Sequence, residues 1–304
     1  MSWNLSGASL PSASIAGIVT NIMRRTLILA AALLSSALAA TAGAAGAPTA
    51  MGANPCPASK PADPGGSAFL RMLLTPGAHF VRPGQSPAQK QSAERAAAAQ
   101  RARDWADLCR YRADNAALTG RPRVVLMGDS ITDFWRQGDP ALFERGVADR
   151  GISGQTSSQM LVRFWPDVIA LQPRIVQILA GTNDIAGNTG PTTEQDYKNN
   201  IMAMVTLARA HHIRVLLGAI PPAVSFWWTA QPYQPAAQIR RLNDWLRRYA
   251  RASGVGFIDY YARLATPAGA FRPDLSNDGV HPNDAGYKVM SALLEASLRA
   301  SGPS

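Results

Sequence analysis

The sequence predicts an α/β protein with one mostly parallel, five-stranded sheet and helices packed on both of its faces. Three observations point there. From residue 123 onward, short aliphatic runs alternate with helical stretches, the order that builds strand–helix–strand units. The runs are apolar at successive positions, as strands covered on both faces are. Three of the loops that follow strands, and the loop before the last helix, are polar and glycine-bearing and hold the reactive side chains. Open parallel sheets bind ligands at that carboxyl edge.

Residues 1–47 stand apart from this fold. Met23-Arg24-Arg25-Thr26 is a short basic start, Leu27 to Leu38 is mostly apolar, and Ala-x-Ala steps follow at Ala37–Ala39, Ala40–Ala42 and Ala45–Ala47. That order reads as a bacterial-type signal peptide with an upstream extension, the natural start being Met23 and the mature protein periplasmic or secreted. An uncleaved anchor is the alternative, although the apolar run is short for a span. Cys56 and Cys109 are the only cysteines; after export they either pair or remain two free thiols. Cys56 follows Asn54-Pro55 rather than a lipobox, so no lipid is expected on it.

Residues 48–118 read as an N-terminal arm. Its first part, 48–68, is rich in Pro, Gly, Ala and Ser, and a helix is expected from about Pro87 to Leu118, closed by Thr119-Gly120-Arg121-Pro122. The domain proper, 119–304, then runs in order. Strand one is Arg123–Met127, a helix covers Pro140–Phe143, and Gly146–Arg150 is a weak second strand ending at Gly151. A helix over Ser157–Leu171 sets Met160, Leu161, Phe164 and Ile169 near one face. Strand three is Ile175–Leu179, a helix follows over Glu194–His211, and strand four is Val215–Ile220. Ala236–Ser253 is a helix that Gly254 caps, Gly256–Tyr260 is strand five, and Asp284–Leu298 closes the fold.

Composition narrows the function classes. With 47% hydrophobic and 16% charged residues in 304, the chain is globular. Its net charge of +10 raises nucleic acid as a partner. The basic residues are mostly Arg scattered along the chain, and no nucleic-acid module is present, so none is expected. A basic surface suits anionic envelopes or acidic polymers instead. Neither a Lys-bearing phosphate loop nor a dinucleotide glycine pattern occurs, nor His-x-x-x-His or clustered carboxylates, so no cofactor and no metal is expected. Gly-x-Ser-x-Gly is missing too, which sets aside nucleophile-elbow hydrolases.

The loops carry an acyl-transfer pattern. Ser130 follows strand one in Gly128-Asp129-Ser130; a serine is a poor nucleophile until a base takes its proton. Of four histidines, His211 and His212 end a helix, where a cation suits the dipole, and His79 lies in the arm, which leaves His281. Asp278, three residues earlier, either orients that imidazole or caps the next helix. The developing oxyanion needs donors, and the Ser130 and Gly154 amides and the Asn183 side chain offer them. Taken singly, Gly154 also fits an ordinary turn and Asn183 an Asx-turn.

These residues resemble the SGNH hydrolases, or GDSL-type esterases and lipases, a family defined by four blocks. The matches are Ser130 in Gly-Asp-Ser, Gly154 in Gly-Ile-Ser-Gly, Asn183 in Gly-Thr-Asn-Asp and His281 in Asp-Gly-Val-His-Pro. The first block reads Gly-Asp-Ser-Ile rather than Gly-Asp-Ser-Leu, and Trp135 beyond it resembles the acetylhydrolase-type branch. The resemblance spans roughly Arg123 to Leu298 and leaves the arm outside. It implies a flavodoxin-like three-layer α/β/α sandwich, a Ser130–His281–Asp278 triad, and an oxyanion hole from the Ser130 and Gly154 amides with Asn183. It also implies a carboxylic ester hydrolase; an acyltransferase with the same residues and a non-catalytic carbohydrate-binding relative are the other readings. The loop after strand four carries Phe226-Trp227-Trp228 and Tyr233. Trp227 and Trp228 either wall a substrate pocket or anchor the loop. The expected substrates are short-chain or acetyl esters of carbohydrates or lysophospholipid-type lipids.

Overall fold

The computed structural model describes residue 56 and residues 64–81, 84, 86–190, 192–229 and 233–300. The expected signal segment, 1–47, lies outside the described residues. Five parallel strands form one sheet: β1 (Val124–Gly128), β2 (Val147–Gly151), β3 (Ile175–Leu179), β4 (Arg214–Gly218) and β5 (Gly256–Ile258). They stand in the order β2-β1-β3-β4-β5, the flavodoxin-like arrangement. The chain starts in the middle, adds β2 on one side, then crosses β1 to place β3 on the other. Loops leaving β1 and β3 therefore diverge, and a crevice opens at their carboxyl ends.

The two layers follow from the period-2 alternation of strand side chains. Val125, Met127, Val176, Ile178, Val215 and Leu217 face one layer. There they meet helices α3 (Ser157–Phe164), α4 (Glu194–Ala210) and α5 (Ala236–Ser253) through Met160, Phe164, Ile201, Met204, Leu242 and Leu246. Val124, Leu126, Ile175, Leu179, Leu216 and Ile258 face the other layer, against Trp135, Tyr260 and Tyr287, Met290 and Leu294 of α6 (Asp284–Ala300). Each fully buried aliphatic side chain contributes about 1.5–3 kcal/mol of transfer free energy.

Most boundaries lie within two residues of expectation; three departures have local causes. The helix expected over 87–118 breaks. Its first part, α2 (Pro87–Arg103), ends where the Asp104 carboxylate takes the Leu108 and Cys109 amides at 2.8 and 3.0 Å, and helix resumes only at Arg112–Ala117. The helix expected to Leu171 stops at Phe164 and continues as a π-helical turn, Trp165–Ile169. Pro166 has no N–H for the α-helical ladder, and the Ala170 amide reaches Trp165 O at 2.9 Å. Strand five stops at Ile258 because Asp259 accepts the Ala262 amide at 3.0 Å and starts a short helix, Tyr260–Leu264.

The arm holds a helix that composition hid. Helix α1 (Pro64–Leu74) buries Leu73 and Leu74, and the Asn277 amide binds its end through the carbonyls of Met72, Leu73 and Thr75 at 2.8, 3.1 and 2.7 Å. Cys56 and Cys109 are both disulfide-bonded. Among the described residues no helix is long and apolar enough to cross a membrane.

Asp149 on β2 gives the fold a pH signature. Burial pushes its carboxyl from an ordinary 3.8 up to about 7, against the Gly151 amide and the Arg136 and Arg150 charges, with Asp133 adding to the rise. Between about pH 4 and 7 the native state then binds more protons here than the unfolded state does. Stability must fall as pH rises through that window. Asp149→Asn should show a smaller loss of unfolding free energy between pH 4 and 7 in urea titrations than wild type. An unchanged loss would mean that Asp149 is charged throughout.

Candidate active site

Strand β1 delivers Ser130 to the crevice. Gly128 ends the strand against a tight wall: a Cβ there would lie 2.0 Å from Thr132 Oγ1. Asp129 then accepts the Ile131 amide at 2.9 Å and starts the short helix Ser130–Asp133. Ser130 is half-buried at its first turn, with Oγ 2.9 Å from His281 Nε2. His281 Nδ1 lies 2.7 Å from Asp278 Oδ2. The turn before α6 thus brings the predicted serine, histidine and aspartate into one relay.

Asp278 does not cap α6. That task falls to Asn283, whose Oδ1 takes the Gly286 amide at 3.0 Å. Asp278 Oδ1 instead accepts the His281 and Val280 amides at 2.8 and 2.9 Å and the Ser276 hydroxyl at 3.3 Å. Burial alone would raise its pKa, but the His281 charge and these hydrogen bonds outweigh burial and hold it at about 2. Asp129 goes the other way: burial lifts it to about 7, against the Ile131 amide and His281, while Asp184 adds to the rise. Two carboxylates near one imidazole are thereby driven apart.

The oxyanion candidates lie around the same crevice. Gly154 follows β2 at φ +80°, a left-handed conformation that suits glycine. Among the described residues neither the Ser130 nor the Gly154 amide donates to a protein acceptor. Asn183 follows β3, is buried, and is clamped: Nδ2 donates to Asp129 Oδ2 at 3.2 Å and to Gln155 O at 3.1 Å, while Oδ1 accepts from Asn188 Nδ2 at 2.6 Å. An oxyanion would have to share an Asn183 hydrogen already in use.

Several supporting residues escaped sequence reasoning. Arg163 is fully buried on α3. It donates to Gln155 Oε1 at 2.6 Å, to Asp167 Oδ2 at 3.1 Å and to the Gly128 carbonyl at 2.9 Å. A basic residue between Met160 and Phe164 with an acid four residues on was the available signal. The arm backs the same loop: Gln155 Nε2 donates to Ala106 O at 2.8 Å, Gln159 Nε2 to Trp105 O at 2.6 Å, and the Tyr111 hydroxyl to Gly151 O.

Aromatic rings flank the imidazole. Phe134 lies 5.5 Å and Trp228 6.3 Å from the His281 ring centroid. Trp228 Nε1 donates to Asn188 Oδ1 at 3.0 Å, and Trp227 Nε1 to Asp278 Oδ2 at 3.1 Å. Both tryptophans therefore sit beside the relay and also tie the loop down. His211 stays at the end of α4, edge-on to Trp165 at 5.0 Å, and His79 is exposed. Among the described residues no group of three or more His, Cys, Asp or Glu could hold a metal ion.

Comparison with known proteins bears on the same residues. The profile of the GDSL-like Lipase/Acylhydrolase family matches residues 126–289, which include Ser130, Gly154, Asn183, Asp278 and His281. The isoamyl acetate-hydrolyzing esterase 1 homolog of Bos taurus is 28% identical over 221 residues, 62% of this chain and 85% of that one. The acetylxylan esterase of Xylanibacter ruminicola is 24% identical over 213 residues, 58% of this chain and 43% of that one. Among solved structures, a GDSL-like lipase from Bacteroides thetaiotaomicron superposes with a TM-score of 0.63 at 40% identity, over 64% of this chain and 98% of that one.

The buried guanidinium is the most exposed point of failure. Arg163→Met leaves the buried Asp167 carboxyl without its ion-pair partner and unties Gly128 from Gln155. Loss of one partner from a buried pair costs about 3–5 kcal/mol, so urea unfolding should show a drop of that size. A drop below about 1 kcal/mol would assign the tie no structural weight.

Proposed function

The chain belongs to the GDSL-like lipase/acylhydrolase family, and from that premise we propose that it is a carboxylic ester hydrolase acting through an acyl-enzyme on Ser130. The observation that carries the reading is the relay of 2.9 and 2.7 Å from Ser130 Oγ through His281 to Asp278. His281 Nε2 takes the Ser130 proton as Oγ bonds the ester carbonyl carbon. Asp278, charged down to low pH, holds Nδ1–H and stabilises the imidazolium. The Ser130 and Gly154 amides take the oxyanion, with Asn183 sharing a hydrogen. Collapse breaks the ester bond, and the imidazolium protonates the departing alkoxide. Water then gives a proton to His281 and attacks the acyl carbon; the acid leaves and Ser130 regains its proton.

The substrates in this proposal are short-chain esters, acetyl esters of carbohydrates or lysophospholipid-type lipids among them. Two relatives whose names specify acetyl esters support it. Trp228, beside the His281 ring, is the substrate contact we assign; a flat aromatic face suits a sugar ring or an apolar alcohol. Export to the periplasm or medium belongs to the same proposal, on the strength of the Met23–Ala47 order in the sequence.

Two experiments test this. Across p-nitrophenyl esters from acetyl to palmitoyl, turnover should be highest at the short end. Ser130→Ala should lower kcat by at least about 10³-fold with its melting temperature unchanged. Near-full activity in that variant would end the acyl-enzyme reading, and an optimum at palmitoyl would replace the short-chain one. Expressed from Met23 in a bacterial host, the protein should be found outside the cytoplasm with its N-terminus just after Ala39, Ala42 or Ala47 by mass spectrometry. Retention of residues 23–47 would overturn the export proposal.

A further inference from the structure

One strong hydrogen bond at the relay comes from far away in sequence. The Asp278 carboxylate takes three donors on Oδ1, all from its own loop: the Val280 and His281 amides and the Ser276 hydroxyl. Oδ2 takes His281 Nδ1 at 2.7 Å and the Trp227 indole N–H at 3.1 Å. The terminal torsion of an aspartate is intrinsically broad, so donors on one oxygen leave the other some freedom. Trp227 is the non-local donor that fixes it.

We propose that Trp227 is a positioning residue: its N–H holds Asp278 Oδ2 at the angle from which that oxygen orients His281. This rests on the reading of Ser130, His281 and Asp278 as catalytic. The indole is itself held on several sides. Phe69 of α1 lies 6.0 Å and Phe80 5.5 Å from its ring, 6.2 Å from each other, and Trp228 meets it edge-on at 5.4 Å. The same helix is gripped at its end by Asn277, the residue before Asp278. The arm thus reaches the relay acid twice, through Asn277 along the chain and through Phe69 across to Trp227. Both arm aromatics lie outside the segment that matches the family, 126–289. The arm is therefore part of the machinery that aims the base.

The chemistry of the donor matters. An indole N–H is neutral, so it draws charge from Oδ2 without adding a cation beside His281. Removing it leaves a more concentrated negative charge facing Nδ1, and the imidazolium gains. Other titratable groups coupled to the pair are buried Asp129, through His281, and Tyr287, through Asp278; neither is altered by a change at Trp227.

Trp227→Phe keeps an aromatic ring at the position, smaller than the indole, and removes the donor. With p-nitrophenyl acetate, kcat should fall about tenfold, what one hydrogen bond to a charged group corresponds to. KM should stay within about twofold, the change being confined to the transition state. The acid limb of kcat/KM should move to higher pH. In an Asp278→Asn background the same substitution should add little. Equal losses in both backgrounds, or an acid limb that does not move, would reduce Trp227 to packing and overturn the proposal. A second readout needs no turnover: the downfield Nδ1 proton resonance of His281 in the Ser130→Ala protein should shift on Trp227→Phe, and an unshifted resonance would also overturn it. Activity surviving in Ser130→Ala itself would instead sink the acyl-enzyme reading, with the resonance still reporting on the Trp227–Asp278 contact.

Discussion

The crevice depends on one buried guanidinium. Arg163 has no contact with solvent, and a desolvated charge costs several kcal/mol unless its donors are used. Three are used at once, on the acid of the π-helical turn, the side chain that opens the oxyanion loop, and the carbonyl that ends β1. Two of those acceptors, Gly128 and Gln155, come from the segments that flank Ser130 and Gly154. The geometry of both loops is thus referred to one rigid planar group, whose fork cannot bend to suit one partner without losing another.

Electrostatics then separates the two acids near the imidazole. Asp278 takes five donors, two of them loop amides, and stays charged to about pH 2. Asp129 is as close in sequence to the nucleophile as a residue can be, yet its buried carboxyl is raised to about 7 and is bonded to the Ile131 amide and the Asn183 side chain. The His281 charge and the hydrogen bonds gathered on Asp278 decide which carboxylate serves as counter-ion to the imidazole. Proximity in the Gly-Asp-Ser motif does not.

The strands and the reactive loops were legible in the sequence because their signals are local. An aliphatic run such as Val124–Met127 announces burial on both faces, and Asp278-Gly279-Val280-His281 is a turn whose donors and acceptor sit within four residues. The arm was legible only in part: a helix starts at Pro87 as expected, but its end and the helix before it were hidden. Helix α2 buries nothing, so its boundary depends on propensity and on one competing carboxylate, Asp104, that a window average ignores. Helix α1 sits in a low-complexity stretch, and its anchor, Asn277, is some 200 positions away. The roles of Arg163 and Trp227 were hidden for the same reason: each is defined by partners on other elements.

The oxyanion side follows from the same accounting of donors. Asn183 is held by bonds to Asp129, Gln155 and Asn188 before any substrate arrives. Its amide is thereby fixed in place, but neither of its hydrogens is idle. The Ser130 and Gly154 amides carry no such prior commitment among the described residues. As negative charge builds on the carbonyl oxygen, those two amides can answer without giving anything up, whereas Asn183 must weaken its hold on Asp129 or Gln155. A neutral Asp129 is the weaker competitor for that hydrogen, because a carboxylic acid accepts less strongly than a carboxylate. Burial of Asp129 therefore does more than shape the start of a helix: by raising that carboxyl to about 7, it leaves the Asn183 hydrogen easier for the transition state to draw upon whenever the acid is protonated.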